Sequence, residues 1–228
     1  MDFFEAVKKR RSIRRYTSKL VPEEVMRKAL AAAVLAPNSS NTQTWDFYWI
    51  KTLDTKKKLI SACLDQSAAR TAQELLVVAI HPDNYKRSQP QLINYVNTIN
   101  APKPVITYYK KLVPLMYKGG IFCLIKNLIF FFTGLFKPTP RGPSSLRDIK
   151  EVCIKSAALA CENFVLAIAA QGFNTCMMEG FDEWRVKKLL NLKFNSRVVM
   201  VISIGEAAED GTWGPQFRIP LTQVVHEV

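Results

Sequence analysis

The sequence predicts an α+β domain. Three runs of β-branched, aromatic and aliphatic residues have the composition of strands, and they lie far apart, at 46–53 (DFYWIKTL), 74–81 (ELLVVAIH) and 197–205 (RVVMVISIG). The long intervals between these runs carry helical patterns. Of the 228 residues, 48% are hydrophobic, which is enough for a sizeable core. We therefore expect one domain over 1–228 in which a few strands and several helices share a core.

Two helices are predicted before the first strand. Asp2 suits the N-cap of a short helix, and the basic residues that follow suit its C-terminus. The second helix lies within 21–36 (VPEEVMRKALAAAVLA), where Pro22 fits the first helical position and the alanine-rich part is expected to be buried. Pro37 ends this helix, and the polar loop PNSSNTQTW follows it.

Further helices are predicted after the first strand. The segments 54–64 (DTKKKLISACL) and 183–192 (EWRVKKLLNL) are helical in pattern. The segment 145–172 predicts a long helix that is apolar on most faces, so we expect it at the centre of the domain or at a dimer interface. Gly172 fits the position after its C-cap. The Pro/Gly/Ser joint at 137–145 is the expected flexible boundary.

A strongly apolar segment, GGIFCLIKNLIFFFTGLF, occupies 119–136. It is short for a membrane span, and Lys126 and Asn127 fall inside it. We therefore expect a buried helix or a lipid-facing amphipathic helix rather than a transmembrane helix.

The composition limits the kinds of site that the chain can build. The formal net charge is +13, which predicts attraction to anions such as phosphorylated cofactors, nucleic acid or a membrane face. Five cysteines without a CxxC spacing favour a reducing, cytoplasmic compartment and predict neither disulfides nor a zinc site. Only two histidines are present, so no metal site is expected. The N-terminus lacks the charge and apolar order of a signal peptide.

The stretch KKRRSIRRY at 8–16 places six basic residues in nine positions. Such a run fits a solvated helix end, a nucleic-acid arm or a seat for a small dianion. A nucleic-acid arm predicts interleaved aromatic residues or a known reading module; neither is evident, so no nucleic-acid partner is expected. In a phosphate seat, two guanidinium groups chelate the anion while the Ser12 hydroxyl and backbone N–H groups complete its shell.

Four motifs occur in order along the chain. They are RRSIR (10–14), APNSSNTQTW (36–45), GFNTCMMEGFD (172–182) and FRIPLTQVV (217–225). They resemble, in turn, the Arg-x-Ser-x-Arg/Lys phosphate motif, the Pro-Ser-Ser/Ala-x-Asn-x-Gln-Pro-Trp loop, the Gly-x-x-Thr-x-x-x-x-Gly-Phe turn along the isoalloxazine and the C-terminal Arg-x-Pro element of the FMN-dependent nitroreductase family. Any one match is weak, whereas four in the right order are specific.

The resemblance implies how the FMN phosphate is held. Arg10, Ser12 and Arg14 would bind its oxygens, and Arg218 would join them from the C-terminal side. Arg11 would contribute mainly its backbone. Many family members carry a second basic residue at the position of Gln216, which implies a weaker clamp on that side.

The resemblance also implies residues around the flavin ring. Gln66 would reach the pyrimidine side, and the backbone of Glu179 and Gly180 would lie near flavin N5, where an N–H stabilises the reduced ring. The backbone units facing the ring would be those of Met177, Met178, Glu179 and Gly180. A polar loop would come from the other subunit, because family sites lie at the subunit interface; its residues are Asn38, Ser39, Ser40, Asn41 and Gln43.

Two parts of the chain depart from the family pattern. Thr44 stands where proline is usual, and Asn38 stands where a small residue is common. The segment 101–144 matches no motif, and the family varies most there. We expect this variable insert to be a lid over the flavin; a weak contact of 119–136 with a membrane surface is the alternative.

The implied fold is nitroreductase-like: helices surround a mixed, mostly antiparallel sheet, and an intertwined homodimer has shared active sites. The implied enzyme is an FMN-dependent oxidoreductase that uses NADH or NADPH to reduce a nitroaromatic, quinone or similar flat small molecule by ping-pong hydride transfer. Two alternatives remain, namely a specialised flavoenzyme such as a dehalogenase or dehydrogenase, and a basic membrane-surface binding protein without flavin activity.

Overall fold

A computed structural model describes residues 1–119 and 121–228. One sheet has the strand order β1-β2-β4-β3, and every neighbouring pair is antiparallel. A parallel bridge between Ser12 and Thr175 extends this sheet beyond β3, so its edge is mixed. The strands are β1 Trp45–Trp49, β2 Glu74–Ile80, β3 Asn174–Met178 and β4 Arg197–Gly205.

Helices make up most of the remaining chain. A π-helical segment, Tyr108–Leu112, joins α6 to α7, and short 3₁₀ turns occur at Ser39–Asn41, Pro82–Asn84 and Leu221–Gln223. The α-helices are α1 Phe3–Lys9, α2 Glu23–Val34, α3 Leu53–Ala62, α4 Ser67–Thr71, α5 Tyr85–Thr98, α6 Lys103–Thr107, α7 Val113–Tyr117, α8 Ile121–Gly134, α9 Leu146–Ala170 and α10 Glu183–Leu189.

The two central strands, β2 and β4, are buried on both faces. Leu76 and Val78 of β2 face a core that α2 and α9 complete. Leu75 and Val77 face the opposite core, which includes residues of α3, α4 and α10. The pairing shifts between Val78 and Ala79, which adds a residue to β4 and reverses its alternation there. Because both faces are covered, these strands read as continuous apolar runs rather than alternating ones.

The long helix α9 is the centre of the first core. It has 25 residues, ten of them buried. The Ser145 hydroxyl and the Asp148 carboxylate form a capping box at its start, and Gly172 has a φ of 84° just beyond its end. Alone among the described helices, α9 is long and apolar enough to cross a membrane, but half of its apolar window is buried inside the protein, as in a core helix.

The structure confirms most of the predicted elements and adds strand β3 and helices α4 to α7. The runs at 46–53, 74–81 and 197–205 are β1, β2 and β4, and the long helix is α9. Pro22 is the N-cap of α2 rather than its first helical residue. Strand β3 was not predicted, because NTCMM has little strand composition; it forms by pairing with β4.

The predicted insert, 101–144, contains two different parts. In the first part, α6, the π-helical segment and α7 pack beside α5, and Val113 and Tyr117 are buried in the first core. In the second part, α8 carries mostly exposed apolar side chains. The prediction that the insert covers the flavin stays a prediction.

Replacing Ser145 by Ala should destabilise the protein by about 1 kcal/mol, because the N–H of Asp148 loses its 3.0 Å hydrogen bond to the Ser145 hydroxyl. Urea unfolding followed by tryptophan fluorescence measures the loss. The exposed Ser18→Ala variant is the control, and equal losses in both variants would contradict the capping role.

The Asp148→Asn variant should lose stability in a way that depends on pH. A hydrogen bond from the Ser144 backbone, followed by the Ser145 side chain, lowers the Asp148 pKa from 3.8 to about 2. A lowered folded-state pKa stabilises the fold fully above the unfolded value and loses that effect as pH falls through the folded value. The difference between wild type and variant should therefore shrink between pH 3.8 and about 2, and unfolding curves across that range measure it.

Candidate functional site

The basic motif lies along the outer edge of β3. The Ile13 N–H donates to the Thr175 carbonyl at 2.9 Å, and the Arg14 N–H donates to the Gly211 carbonyl at 2.8 Å. The Ile13 side chain is buried in the second core. Since side chains alternate along an extended segment, Ser12 and Arg14 point away from that core. The motif is thereby held beside the end of β3.

A cavity of about 150 Å³ forms where the N-terminal motif meets the C-terminal tail. The residues predicted to hold a phosphate all line it, although they are more than 200 positions apart in the chain. The lining residues are Arg10, Arg11, Ser12, Arg14, Pro215, Gln216, Phe217 and Arg218.

The guanidinium groups at this cavity have little negative charge near them. Arg11 and Arg218 donate to main-chain carbonyl oxygens at 2.6 and 2.7 Å, and Arg14 stacks on an aromatic ring. In the described part of the chain, none of these three forms an ion pair with a carboxylate, and Arg10 has only a 3.9 Å contact to Glu162. Four cations without close counter-charges make a site for a multiply charged anion.

A second cleft, about 540 Å³, adjoins the first, and Arg14 lines both. One wall is the end of β3 and the turn after it, residues 176–180; another is 66–68 at the start of α4. The Gln66 side-chain amide donates to the carbonyl oxygens of Gly180 and Cys63, which ties the two walls together. All of the predicted ring residues, namely Gln66, Met177, Met178, Glu179 and Gly180, therefore line one cleft.

Sequence reasoning missed six residues that line this cleft, and three of them, Arg15, Asp210 and Trp213, carry a charge or an aromatic ring. Arg15 forms an ion pair with Asp210 across the cleft mouth. The Arg14 guanidinium carbon lies 4.1 Å from the centroid of the Trp213 ring, and this ring is 85% exposed. A tryptophan inside the turn-forming stretch GTWGP was the available signal, because such a stretch does not place an aromatic residue in a core.

The thiol of Cys176 lies at this cleft without the character of a nucleophile. Burial raises its pKa, and the Arg14 charge and the Ser12 hydroxyl oppose that rise only in part. A thiol with a raised pKa stays protonated near neutral pH and reacts slowly. Cys176 is therefore not a candidate nucleophile.

The loop at 38–43 has an unusual backbone. Three residues without the freedom of glycine have positive φ angles: Ser40 at 54°, Asn41 at 49° and Gln43 at 47°. The Asn38 side chain holds this shape by accepting from the Gln43 N–H at 2.9 Å and donating to the Ala36 carbonyl at 3.3 Å. Strain that neighbouring contacts sustain in this way is typical of functional loops.

Residues of α7, α9 and the π-helical segment anchor this loop. The Ser39 N–H donates to the Ser156 hydroxyl of α9 at 3.3 Å. The buried Thr42 hydroxyl donates to the Tyr117 hydroxyl at 3.0 Å, and the hydroxyls of Ser40 and Tyr108 lie 2.6 Å apart. The first part of the predicted insert thus supports the loop.

Within one chain, the predicted site residues form two separate groups. The phosphate and ring residues line the two joined cavities, whereas Asn41 and Gln43 line a different cavity of about 680 Å³ beside β1 and α5. Asn38, Ser39 and Ser40 lie in the loop beside the latter group. The geometry therefore brings together ten of the fifteen predicted residues.

Comparison with known proteins identifies the family of this chain. Residues 7–206 match the model of the nitroreductase family. An NADH dehydrogenase of Thermus thermophilus is 26% identical, with 99% of this chain and 95% of that protein covered. An iodotyrosine deiodinase of Nematostella vectensis is 23% identical over 98% of this chain and 74% of that protein.

Solved structures show the same fold. A protein of Exiguobacterium sibiricum, described as a nitroreductase in complex with FMN, superposes with a TM-score of 0.74 at 24% identity and covers 100% of this chain and 98% of its own.

The chain is an α+β oxidoreductase, and the two joined cavities are the candidate site for its cofactor. The chain belongs to the nitroreductase family, whose model matches most of its length. Membership confirms the predicted family and the α+β fold. At the level of the family, it also confirms the predictions of an enzyme and of FMN with NAD(P)H as cofactors.

Replacing Tyr117 by Phe should cost about 1 kcal/mol of stability, because the buried Thr42 hydroxyl loses one hydrogen-bond partner. Tyr108→Phe is the matched control: it removes the same atom, but from a half-exposed tyrosine where water can replace it. Urea unfolding of both variants compares the costs. A larger loss of stability for Tyr108→Phe would contradict the conclusion that Tyr117 is the stronger anchor of the loop.

Proposed function

We propose that this protein is an FMN-dependent oxidoreductase that uses NADH or NADPH to reduce a flat small molecule, such as a nitroaromatic or a quinone. The observation that carries the proposal is the cationic cavity at 10–14 and 215–218, joined through Arg14 to the cleft at 176–180. A phosphorylated ligand with a planar ring matches this arrangement, because its phosphate suits the cationic cavity and its ring suits the cleft. The fold and the family support the same assignment.

The phosphate seat fits a dianion by its donors. Arg10, Arg14 and Arg218 present guanidinium groups, and the Ser12 hydroxyl adds a neutral donor. These groups meet carbonyl oxygens, an aromatic ring or a distant carboxylate, so little has to be displaced when phosphate enters. Charge-assisted hydrogen bonds from several arginines give both affinity and orientation.

The cleft orients a ring against the main chain. Met178 is buried in the second core and Glu179 is exposed, so the backbone rather than the side chains of 177–180 is available at the cleft. FMN, when bound, supplies the transfer of a hydride taken from NADH or NADPH to an acceptor. The backbone N–H groups of Glu179 and Gly180 would stabilise negative charge on a reduced ring, as fixed dipoles do without reorganising.

We propose that the working form is a homodimer in which the loop at 38–43 completes the partner's cleft. In support, α1 and α2 pack on α9 and leave large apolar residues uncovered, with Phe4 and Leu35 each 80% exposed. The tail after 214 is exposed along its length, including Phe217 and Leu221. Apolar patches of this kind mark protein contacts.

The position of α9 supports a shared site. Ser156 holds the loop, and Glu162, six residues further along the helix, lies near Arg10 of the phosphate seat. Six residues correspond to about 9 Å of rise and about 240° of rotation, so the two groups lie on different faces of α9. A partner related by a two-fold axis near α9 would bring its loop to the other group.

Purified protein should be yellow and dimeric. The absorption spectrum shows a flavin, chromatography of the chromophore released by heat identifies it as FMN, and sedimentation equilibrium gives the mass of the protein. A colourless monomer that takes up no added FMN would overturn the proposal. A yellow protein that oxidises NADH or NADPH but reduces only a halogenated aromatic would assign the dehalogenase alternative instead.

Replacing Arg14 or Arg218 by Ala should weaken FMN binding about ten- to a hundredfold, because each change removes a charge-assisted contact worth about 1.5–3 kcal/mol. Binding of riboflavin, which lacks the phosphate, should change much less. Fluorescence quenching titrations measure both affinities.

Lys8→Ala and Arg27→Ala are the controls for this titration. Lys8 is exposed at the end of α1, and Arg27 forms an exposed ion pair with Glu23 on α2, so both charges are screened. Equal losses for Lys8→Ala and Arg14→Ala would mean that the basic run acts as a diffuse field rather than as a phosphate seat.

A further inference from the structure

Positive charge is concentrated in one stretch of the chain. Residues 84–147 contain ten Lys or Arg and no Asp or Glu, which leaves 22 basic and 19 acidic residues in all the rest. Most of the net charge of +13 therefore comes from the segment that includes α5 to α8. A surplus of Lys and Arg attracts anionic partners.

The helix α8 and the turn after it expose apolar side chains. Nine large apolar residues are between 49% and 88% exposed. At about 100° per residue, the seven within α8 occupy a single arc about 160° wide. The nine residues are Ile121, Leu124, Ile125, Leu128, Ile129, Phe131, Phe132, Leu135 and Phe136.

The one charged residue of α8 faces the protein instead of water. Lys126 is 3% exposed, and its ammonium donates to the Met116 and Lys118 carbonyl oxygens at 2.9 and 3.2 Å. Asn127 donates weakly to the Ser144 carbonyl at 3.5 Å. A surface helix of a water-soluble protein has the reverse arrangement, with its apolar stripe inward. Burial also lowers the Lys126 pKa. The hydrogen bonds to the two carbonyl oxygens offset the cost of burying the ammonium group.

Basic groups stand at both ends of the apolar arc. Lys118 precedes α8 and is exposed, with its ammonium 3.5 Å from the centroid of the Phe122 ring. Lys137 follows α8 and is also exposed. Arg141 donates to the Phe130 and Gly134 carbonyl oxygens at 3.3 Å each and so adds positive charge at the C-terminal end.

We propose that α8 docks this enzyme on an anionic lipid bilayer, with the apolar arc in the interface and the flanking cations at the headgroups. Its 14 residues are about 21 Å long, shorter than the roughly 30 Å of a hydrocarbon core, so α8 lies in the plane of the membrane rather than across it. Apolar burial together with attraction to anionic headgroups is the general mode of such helices.

Two other surfaces could cover the apolar arc, namely a second copy of the chain and the flavin cleft. Charge favours a lipid surface over both. A second copy would bring another stretch without acidic residues against the first, and like charges repel across such a contact. A flavin cleft is flanked by the cationic seat at Arg10, Arg14 and Arg218, which repels the cations at the ends of α8. An anionic bilayer buries the apolar arc in its interface and attracts the flanking cations with its headgroups.

Sedimentation with vesicles tests the proposal on the full holoprotein. Wild type should bind mixed phosphatidylcholine and phosphatidylglycerol vesicles and bind pure phosphatidylcholine at least about tenfold more weakly. The Leu128→Glu/Phe132→Glu double variant should bind the mixed vesicles about 100-fold more weakly or worse. Lys118→Gln/Lys137→Gln should lose about 30-fold, because each cation near the surface contributes about fivefold.

The matched control is Trp184→Glu/Phe194→Glu, which places the same charges at residues 70% and 91% exposed on and after α10. This control should bind vesicles like wild type. The α8 variant should keep its flavin content and its mass in solution.

Three results would overturn the proposal. Wild type that ignores both kinds of vesicle would exclude membrane docking. A changed mass for the α8 double variant would assign the apolar arc to a contact between copies, and a lost flavin with unchanged mass would assign it to the lid. None of these results depends on catalysis, so they are separable from failure of the proposed enzymatic function.

Discussion

The edge pairing between the N-terminal motif and β3 fixes the geometry of the candidate site. One backbone hydrogen bond from Ile13 to Thr175, one from Arg14 to Gly211 and the buried Ile13 side chain lock an extended segment beside β3. Because β3 continues directly into the turn at 178–180, this pairing sets the guanidinium groups and the backbone N–H groups of the turn at a fixed separation. The proposed ligand, with a phosphate at one end and a ring at the other, would span that separation.

The positive potential of the phosphate seat depends on the lack of carboxylate partners for its arginines. Arg15, Arg27, Arg87, Arg185 and Arg197 each have a carboxylate partner, whereas Arg11, Arg14 and Arg218 contact carbonyl oxygens or a ring. Clustered cations without counter-charges repel each other and reduce folding stability. A bound anion removes that cost and stabilises the native state through its own affinity.

Two regions of the insert make different contributions to the protein. The helices from 103 to 117 belong partly to the core and hold the strained loop at 38–43 through hydroxyl contacts of Tyr108 and Tyr117. The apolar helix α8 contributes little to that core and instead presents a surface. An insert that varies within a family can thus adjust both the loop that reaches the proposed partner site and the surroundings in which the enzyme meets its acceptor.

Local chemistry made much of this protein predictable from its sequence. Continuous apolar runs identified β2 and β4, because both of their faces are buried, and Ser145 with Gly172 bounded α9 by capping preferences. The spacing in RRSIR and in the other three motifs identified the family and nine of the ten predicted residues that line the two cavities. Each of these signals lies within a short stretch of the chain, so it can be recognised without knowing the tertiary contacts.

Tertiary structure decided the features that depend on contacts distant in the chain. Strand β3 exists because β4 offers it hydrogen bonds, not because NTCMM favours extension. Trp213 lines the site because the C-terminal tail packs against Arg14. Lys126 is buried because two carbonyl oxygens accept hydrogen bonds from its ammonium group. By itself, the sequence determined the family, the main elements and the cationic motif. Folding decided which groups meet and which faces stay uncovered, because burial and pairing are properties of the assembled chain.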